Sequence, residues 1–226
     1  MGEHQDDPGD LLPLRQGDRP LGPHPLRLRT HGEALSSTNW SHNDHFHGWV
    51  LRSLPDARSH ALDLGCGSGR LVRQLASCFE TVTGVDSDPR IIQGVEVPVN
   101  ARLFASDALA VQERADLITM IAVLHHLPLR SALEHVADLL NPGGRFLCVG
   151  LARPRNLVDW VWEAGNVVAN PLIGLLKYEK ATPSPARIAA PSLTLEEIDQ
   201  VGSEVMPGLR IRRREGFRHT LMWSKP

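Results

Sequence analysis

The spacing of apolar residues changes several times along the chain. Ala61-Leu62-Asp63-Leu64 is a short apolar run, and Thr81 to Asp86 is a β-branched run that ends in an acid. Asp116 to Val123 (DLITMIAV) and Arg145 to Leu151 are almost wholly apolar. Short unbroken runs of this kind predict strands covered on both faces. Between them the period lengthens. Arg70 to Cys78 sets Leu71, Val72 and Leu75 on one face of a helix. Leu129 to Leu140 repeats the helical pattern before Asn141-Pro142-Gly143-Gly144, a strong turn signal. Arg90 to Val95 predicts a shortened helix and Ala101 to Ala105 a weak third strand. Strands that alternate with helices predict an α/β chain with a parallel sheet and right-handed crossovers. Ligands of such sheets bind beyond the carboxyl ends of the strands, at the switch point.

The flanks behave differently. Residues 1–35 are rich in Pro, Gly, Arg and Asp without an apolar period, and predict a flexible tail. Ser36 to Leu54 has a helical pattern that Pro55 would stop. Residues 152–192 interrupt the alternation: Leu157 to Leu176 predicts a mostly apolar helix, and Pro183, Pro185 and Pro191 a loop. Thr194 to Val205 returns to a helix, with Thr194 and Glu197 in capping-box spacing. Leu209 to Arg214 and Thr220 to Ser224 predict two closing strands, joined closely enough to require antiparallel pairing.

Composition narrows the function classes. A chain of 226 residues favours one elaborated domain, here 36–226. Hydrophobic residues make up 42% and charged ones 22%, as in ordinary globular proteins, and a net charge of -2 gives no reason to expect nucleic acid as a partner. The basic run Arg210 to Arg214 reads as a strand with exposed arginines. Three cysteines without CxxC spacing indicate neither a disulfide framework nor a zinc ribbon. No apolar stretch is long enough to span a membrane, and the acidic start MGEHQDDPGD is not a secretory signal, so a cytoplasmic location is expected. Monomer and homodimer both stay open.

The chemistry concentrates in Asp63-Leu64-Gly65-Cys66-Gly67-Ser68-Gly69, directly after a strand and before a helix. The spacing is Gly-x-Gly-x-Gly, where a dinucleotide fold more usually has Gly-x-Gly-x-x-Gly. The carboxylate of Asp63 suits a cationic ligand better than a pyrophosphate. Asp86 ends the second strand about 20 residues on, where an acid can hold both ribose hydroxyls. Asp107 follows the third strand, where it could accept from an adenine amino group.

"ALDLGCGSGRL", "GVDSDP", "SDAL", "DLITMIAVLHHLP" and "LLNPGGRFLCVG" together resemble the successive motifs of class I S-adenosylmethionine-dependent methyltransferases, of the small-molecule, natural-product and quinone-biosynthesis-like type. The resemblance implies a Rossmann-like α/β sheet of seven strands, order 3-2-1-4-5-7-6, with strand 7 antiparallel. It implies S-adenosyl-L-methionine as cofactor and S-adenosyl-L-homocysteine as product. Gly65, Cys66 and Gly67 would then contact the methionine part, with Asp63 orienting its ammonium. Asp86 and Ser87 would meet the ribose, Ser106, Asp107 and Ala108 the adenine, and Ile121 and Ala122 the methionine moiety again. Amino-methylating enzymes of nucleic-acid bases tend to carry Asn/Asp-Pro-Pro-aromatic after strand four. Here the chain reads Ala122-Val123-Leu124-His125-His126, which favours a small-molecule acceptor, with secondary metabolism as the expected setting. A cyclase or pericyclase built on the same scaffold, and a non-catalytic cofactor-binding subunit, are the rival readings.

A general base is needed only where the acceptor must lose a proton, and histidine suits that task. His125 and His126 follow strand four. His42, His45 and His47 lie in "STNWSHNDHFHGWVL", just before strand one, where this family commonly closes over the active site. His45, His125 and His126 are therefore the candidate bases. Residues 36–55 are the candidate lid, with Trp40, His42, Asn43 and His47 as substrate contacts. Trp160 and Tyr178 of the insertion 152–192 are the candidate substrate wall. No metal site is expected, because His47 would leave the face shared by His42 and His45, and no cysteine stands near.

Overall fold

The computed structural model of the chain describes residues 44–153, 193–214 and 218–226. In order these contain α1 (His47–Arg52), β1 (His60–Leu64), α2 (Arg70–Leu75), β2 (Thr81–Asp86), α3 (Pro89–Ile92), β3 (Ala101–Ala105), β4 (Ala115–Ile121), α4 (Leu129–Leu139), β5 (Leu140–Leu151), α5 (Leu195–Val205), β6 (Arg210–Arg214) and β7 (Arg218–Ser224). Three single 3-10 turns, at Asp44–Phe46, Ala108–Ala110 and Leu124–His126, complete the set. The seven strands form one sheet of order β3-β2-β1-β4-β5-β7-β6. β1 to β5 run parallel, while β7 is antiparallel to both β5 and β6.

Alternation along the strands sorts side chains onto two faces. Leu62, Leu64, Ile118, Met120, Phe146, Cys148 and Leu221 join Leu133, Val136 and Ile198 of α4 and α5 in one apolar layer. Ala61, Val82, Leu117 and Leu147 join Val50 of α1 and Leu71, Val72 and Leu75 of α2 in the other. The sheet is therefore helix-covered on both sides, and its ligand-binding edge must be the carboxyl end. α5 starts as its sequence requires: Thr194 accepts from the Glu197 amide, and Glu197 accepts from the Thr194 amide.

Some elements differ from the pattern-based expectation. The helix ahead of β1 ends at Arg52, and its described part opens with a 3-10 turn. Pro55 disfavours helical geometry at the residue before it, and Arg145 Nη1 donates to the carbonyls of Ser53 and Leu54 at 2.9 and 3.0 Å, holding the chain out of the helix. The helices expected over 70–78 and 90–95 end at Leu75 and Ile92. The turn Asn141-Pro142-Gly143-Gly144 becomes a bulge within β5, since Leu140 pairs with Ala115 and Arg145 with Leu117. Gly143 takes a positive φ of 75° there. β7 begins at Arg218, two residues before its expected start. Arg210–Arg214 is an edge strand, with Arg210, Arg212 and Arg213 exposed.

The amino end of the sheet is tied by one acid. Asp116 Oδ2 accepts from the amides of Ser59 and His60 at 2.8 and 3.2 Å, and its Oδ1 accepts from Asn141 Nδ2 at 2.8 Å. Among the described residues no helix is long and apolar enough to cross a membrane.

Candidate functional site

The glycine loop follows β1 at the switch between the β1–β2 and β1–β4 pairings. The amides of Gly65 and Cys66 both donate to the Val85 carbonyl, at 2.7 and 2.9 Å. Gly65, Gly67 and Gly69 have φ of 78°, 53° and 69°, a region that other residues enter only under strain. At Gly65 an added Cβ would stand 2.1 Å from Val123 Cγ2, whereas at Gly67 it would meet nothing within 4 Å. Gly65 thus serves packing against the β4 end, and Gly67 leaves open space.

Two carboxylates face this loop. Asp86 at the end of β2 accepts from the Gly67 amide at 2.8 Å through Oδ2 and from the Asp88 amide at 3.0 Å through Oδ1. Asp63 is 2% exposed, and the Thr119 hydroxyl donates to its Oδ1 at 2.6 Å. Burial pushes the Asp63 carboxyl up to about 7; the Thr119 hydrogen bond opposes the rise, and the charge of Asp86 adds to it. A buried carboxyl so displaced, beside a glycine loop at the switch point, makes Asp63 a candidate binding residue.

The acid after β3 has a local task. Asp107 is exposed, and its Oδ1 accepts from the Leu109 amide at 2.8 Å, capping the turn Ala108–Ala110. Ser106 reaches back through its amide to the Asp86 carbonyl at 3.0 Å, which sets Ser106, Asp107 and Ala108 beside the β2 end. Ser87 is exposed on the same rim, and Cys66 is buried in the loop with its thiol pushed up by burial and then by the charges of Asp63 and Asp86.

At the end of β4, Ile121 is half-buried and Ala122 has a φ of 58°, the one positive value among the described non-glycine residues. Its amide donates to the Val149 carbonyl at 2.7 Å. Strain of this kind gathers where a strand must turn its chain toward a ligand. The turn Leu124–His126 follows. His126 is exposed and His125 half-buried, with ring centroids 4.0 Å apart. Burial, then the charges of His126 and Arg218, push the His125 imidazole down to about 4.

Sequence reasoning missed two neighbours of His125. Arg218 and His219 open β7, opposite Leu151 and Gly150. His219 is 2% exposed, and burial followed by His125 lowers it to about 4. Burial also lowers Arg218. Two polar residues heading the otherwise apolar run Thr220-Leu221-Met222-Trp223 were the available signal.

The segment ahead of β1 divides its candidates. His45 is exposed, with its ring edge-on to Phe46 at 5.5 Å, while His47 is buried. Trp40, His42, Asn43, Trp160 and Tyr178, like the expected tail and the helix 157–176, lie outside the described residues. Among the described residues no three of His, Cys, Asp or Glu converge as metal ligands.

Comparison with known proteins agrees with this geometry. A model of the methyltransferase domain matches residues 62–146. An uncharacterized methyltransferase of Mycobacterium tuberculosis is 28% identical over 194 residues, covering 83% of this chain and 98% of that one. A ubiquinone biosynthesis O-methyltransferase of Cupriavidus pinatubonensis is 28% identical over 159 residues, covering 61% of this chain and 63% of that one. The N-methyltransferase NodS from Bradyrhizobium japonicum, crystallised with S-adenosyl-L-homocysteine, shares the fold with a TM-score of 0.52 at 20% identity, over 81% of this chain and 87% of that one. In its matched domain, its methyltransferase relatives and its sheet order, the chain is similar to the class I S-adenosylmethionine-dependent methyltransferases.

Proposed function

We propose that the chain transfers the methyl group of S-adenosyl-L-methionine to a small-molecule acceptor. The observation that carries this is Asp63: a buried carboxylate with one hydroxyl partner, set under a glycine loop that leaves open space at Gly67. The amino acid ammonium of the cofactor is the cation that such a group requires. Asp86 has one protein donor on each oxygen and keeps lone pairs for two ribose hydroxyls. Ser106, Asp107 and Ala108 form the rim on which the adenine would rest, and Ile121 and Ala122 the wall beside the methionine part.

The bound cofactor supplies an electrophilic sulfonium methyl, and the protein aligns the acceptor and excludes water. The missing side chain of Gly65 lets the loop pack closely on Val123 at the β4 end. His125 is neutral at physiological pH because its imidazole is held near 4, which suits it to a hydrogen bond with the acceptor more than to storing a proton. The exposed His45 and His126 are the remaining candidates for a base. The segment 36–55 acts in this reading as the lid and residues 152–192 as the acceptor wall. Relatives active in quinone biosynthesis support a small acceptor, and natural-product metabolism in the cytoplasm is the setting we favour.

Calorimetry with S-adenosyl-L-homocysteine tests the cofactor site: the wild-type chain binds it and Asp86→Ala does not. Incubation of methyl-labelled cofactor with acceptor panels tests the reaction. Tight cofactor binding without label transfer to any acceptor would favour the cyclase reading, and no binding at all would end the proposal.

A further inference from the structure

Three polar atoms on the acceptor side of the sheet are buried without a hydrogen-bond partner: Nδ1 of His125, Nε2 of His219 and Nη1 of Arg218. They come from far apart in sequence and meet through topology. His125 follows β4, while Arg218 and His219 stand opposite Leu151 and Gly150 at the carboxyl end of β5. The His219 ring lies directly on Gly150, where an added Cβ would be 2.5 Å from Nε2, so the missing side chain makes its room. His125 and His219 line one small recess with Leu124, Leu129 and Ile198.

A guanidinium only donates, and a neutral imidazole has one donor beside one acceptor, so each member of the trio can turn a donor to a ligand. No carboxylate among the described residues pairs with Arg218, and burial is the only influence resolved on it. A half-buried cation without a counter-charge is costly unless something completes it. Its place is the edge past β4, next to the loop that the cofactor reading occupies. A guanidinium and two imidazole N–H groups beside an apolar recess are complementary to the oxyanion head of a ligand whose body is apolar.

We infer that His125, Arg218 and His219 form an anion subsite of the acceptor pocket, which holds an apolar acceptor by an anionic oxygen, either a carboxylate or a phenolate. This rests on the methyl-transfer reading of the adjoining loop. It adds a specificity determinant from β7 that the cofactor motifs do not contain.

The test is an NMR titration of the histidine ring resonances at pH 8 in the full chain saturated with S-adenosyl-L-homocysteine. His125→Gln and His219→Gln assign the two rings. The probes are benzoate, 4-nitrophenolate and the neutral isostere benzamide. Benzoate, 4-nitrophenolate or both should shift both rings, whereas benzamide should not; the stronger of the two anions identifies the head group. Arg218→Gln should weaken that response by about tenfold or more, as loss of a charge-assisted pair does, and Arg218→Lys should restore part of it. The inference is overturned if neither anion moves the rings, if benzamide moves them equally, or if Arg218→Gln changes nothing. The wild-type comparison of probes stands even if a variant does not fold. Failure of the cofactor analogue to bind in the same sample would count against the methyl-transfer reading, separately from the subsite.

Discussion

Replacing Asp63 by Asn removes a charge from the interior while keeping an oxygen for the Thr119 hydroxyl. In the folded chain the Asp63 carboxyl lies at about 7 against an ordinary 3.8. A gap of roughly three pH units corresponds to about 4 kcal/mol. The sign follows from proton counting. Between about pH 4 and 7 the folded chain holds a proton on Asp63 that the unfolded chain has released. Stability from this group therefore rises as pH falls toward 4, and the whole penalty stands above about 7. Asp63→Asn should match the wild type near pH 4 and exceed it by up to about 4 kcal/mol at pH 8, with a slope of about 1.4 kcal/mol per pH unit between. Urea unfolding of both chains across a pH series reads this difference, and contributions of groups not coupled to Asp63 cancel. The same ionised carboxylate is what a bound ammonium requires. Wild-type affinity for S-adenosyl-L-methionine should thus fall about tenfold per pH unit below about 7, and Asp63→Asn should bind weakly at every pH. A stability difference that does not change with pH would refute the burial argument. An affinity that stays flat to pH 5 would refute the ammonium pairing.

Other perturbations separate packing from ligand space. Gly65→Ala combines a φ of 78° with a clash against Val123, so it should lower stability by about 1–3 kcal/mol or more, whereas Gly67→Ala, with nothing near its Cβ, should cost less; equal shifts in thermal midpoint would contradict this. Iodoacetamide should label Cys78 in the native chain ahead of Cys66 and Cys148, whose thiols burial pushes up, as intact-mass kinetics would reveal. Thr194→Ala removes the hydroxyl half of the capping box on α5, leaving the amide of residue 194 to the Glu197 carboxylate, and should destabilise the chain by about 1 kcal/mol in urea titration without altering cofactor affinity.

The strands that build the cofactor edge were readable because their apolar runs are dense and their ends are marked by chemistry. Thr81 to Asp86 and Ala101 to Ala105 coincide with β2 and β3 residue for residue. Helix ends were less readable. Arg52 ends α1 through an arginine on β5, 93 positions on, and no local signal near Pro55 announces that contact. The acceptor side was less legible still. His125 stands in a motif, but its partners Arg218 and His219 reach it only because β7 runs backward beside β5. Their burial depends on register with Gly150, which a single chain of letters does not display. Asp107 shows the opposite case: its position after β3 was evident, while its hydrogen bond to the Leu109 amide belongs to the turn itself.

The place of β7 also orders the assembly of the protein in time. It lies between β5 and β6, yet it is synthesised after both. Until it emerges from the ribosome, β6 has no neighbour to pair with, and β5 presents an apolar edge with unpaired backbone. A nascent chain that has reached β5 already carries the glycine loop, Asp63 and Asp86, all five parallel strands and none of β7. Arrival of β7 then closes the edge, docks β6 and delivers Arg218 and His219 in one step. An unpaired apolar edge of this kind is open to chaperones and to strand-to-strand aggregation during synthesis.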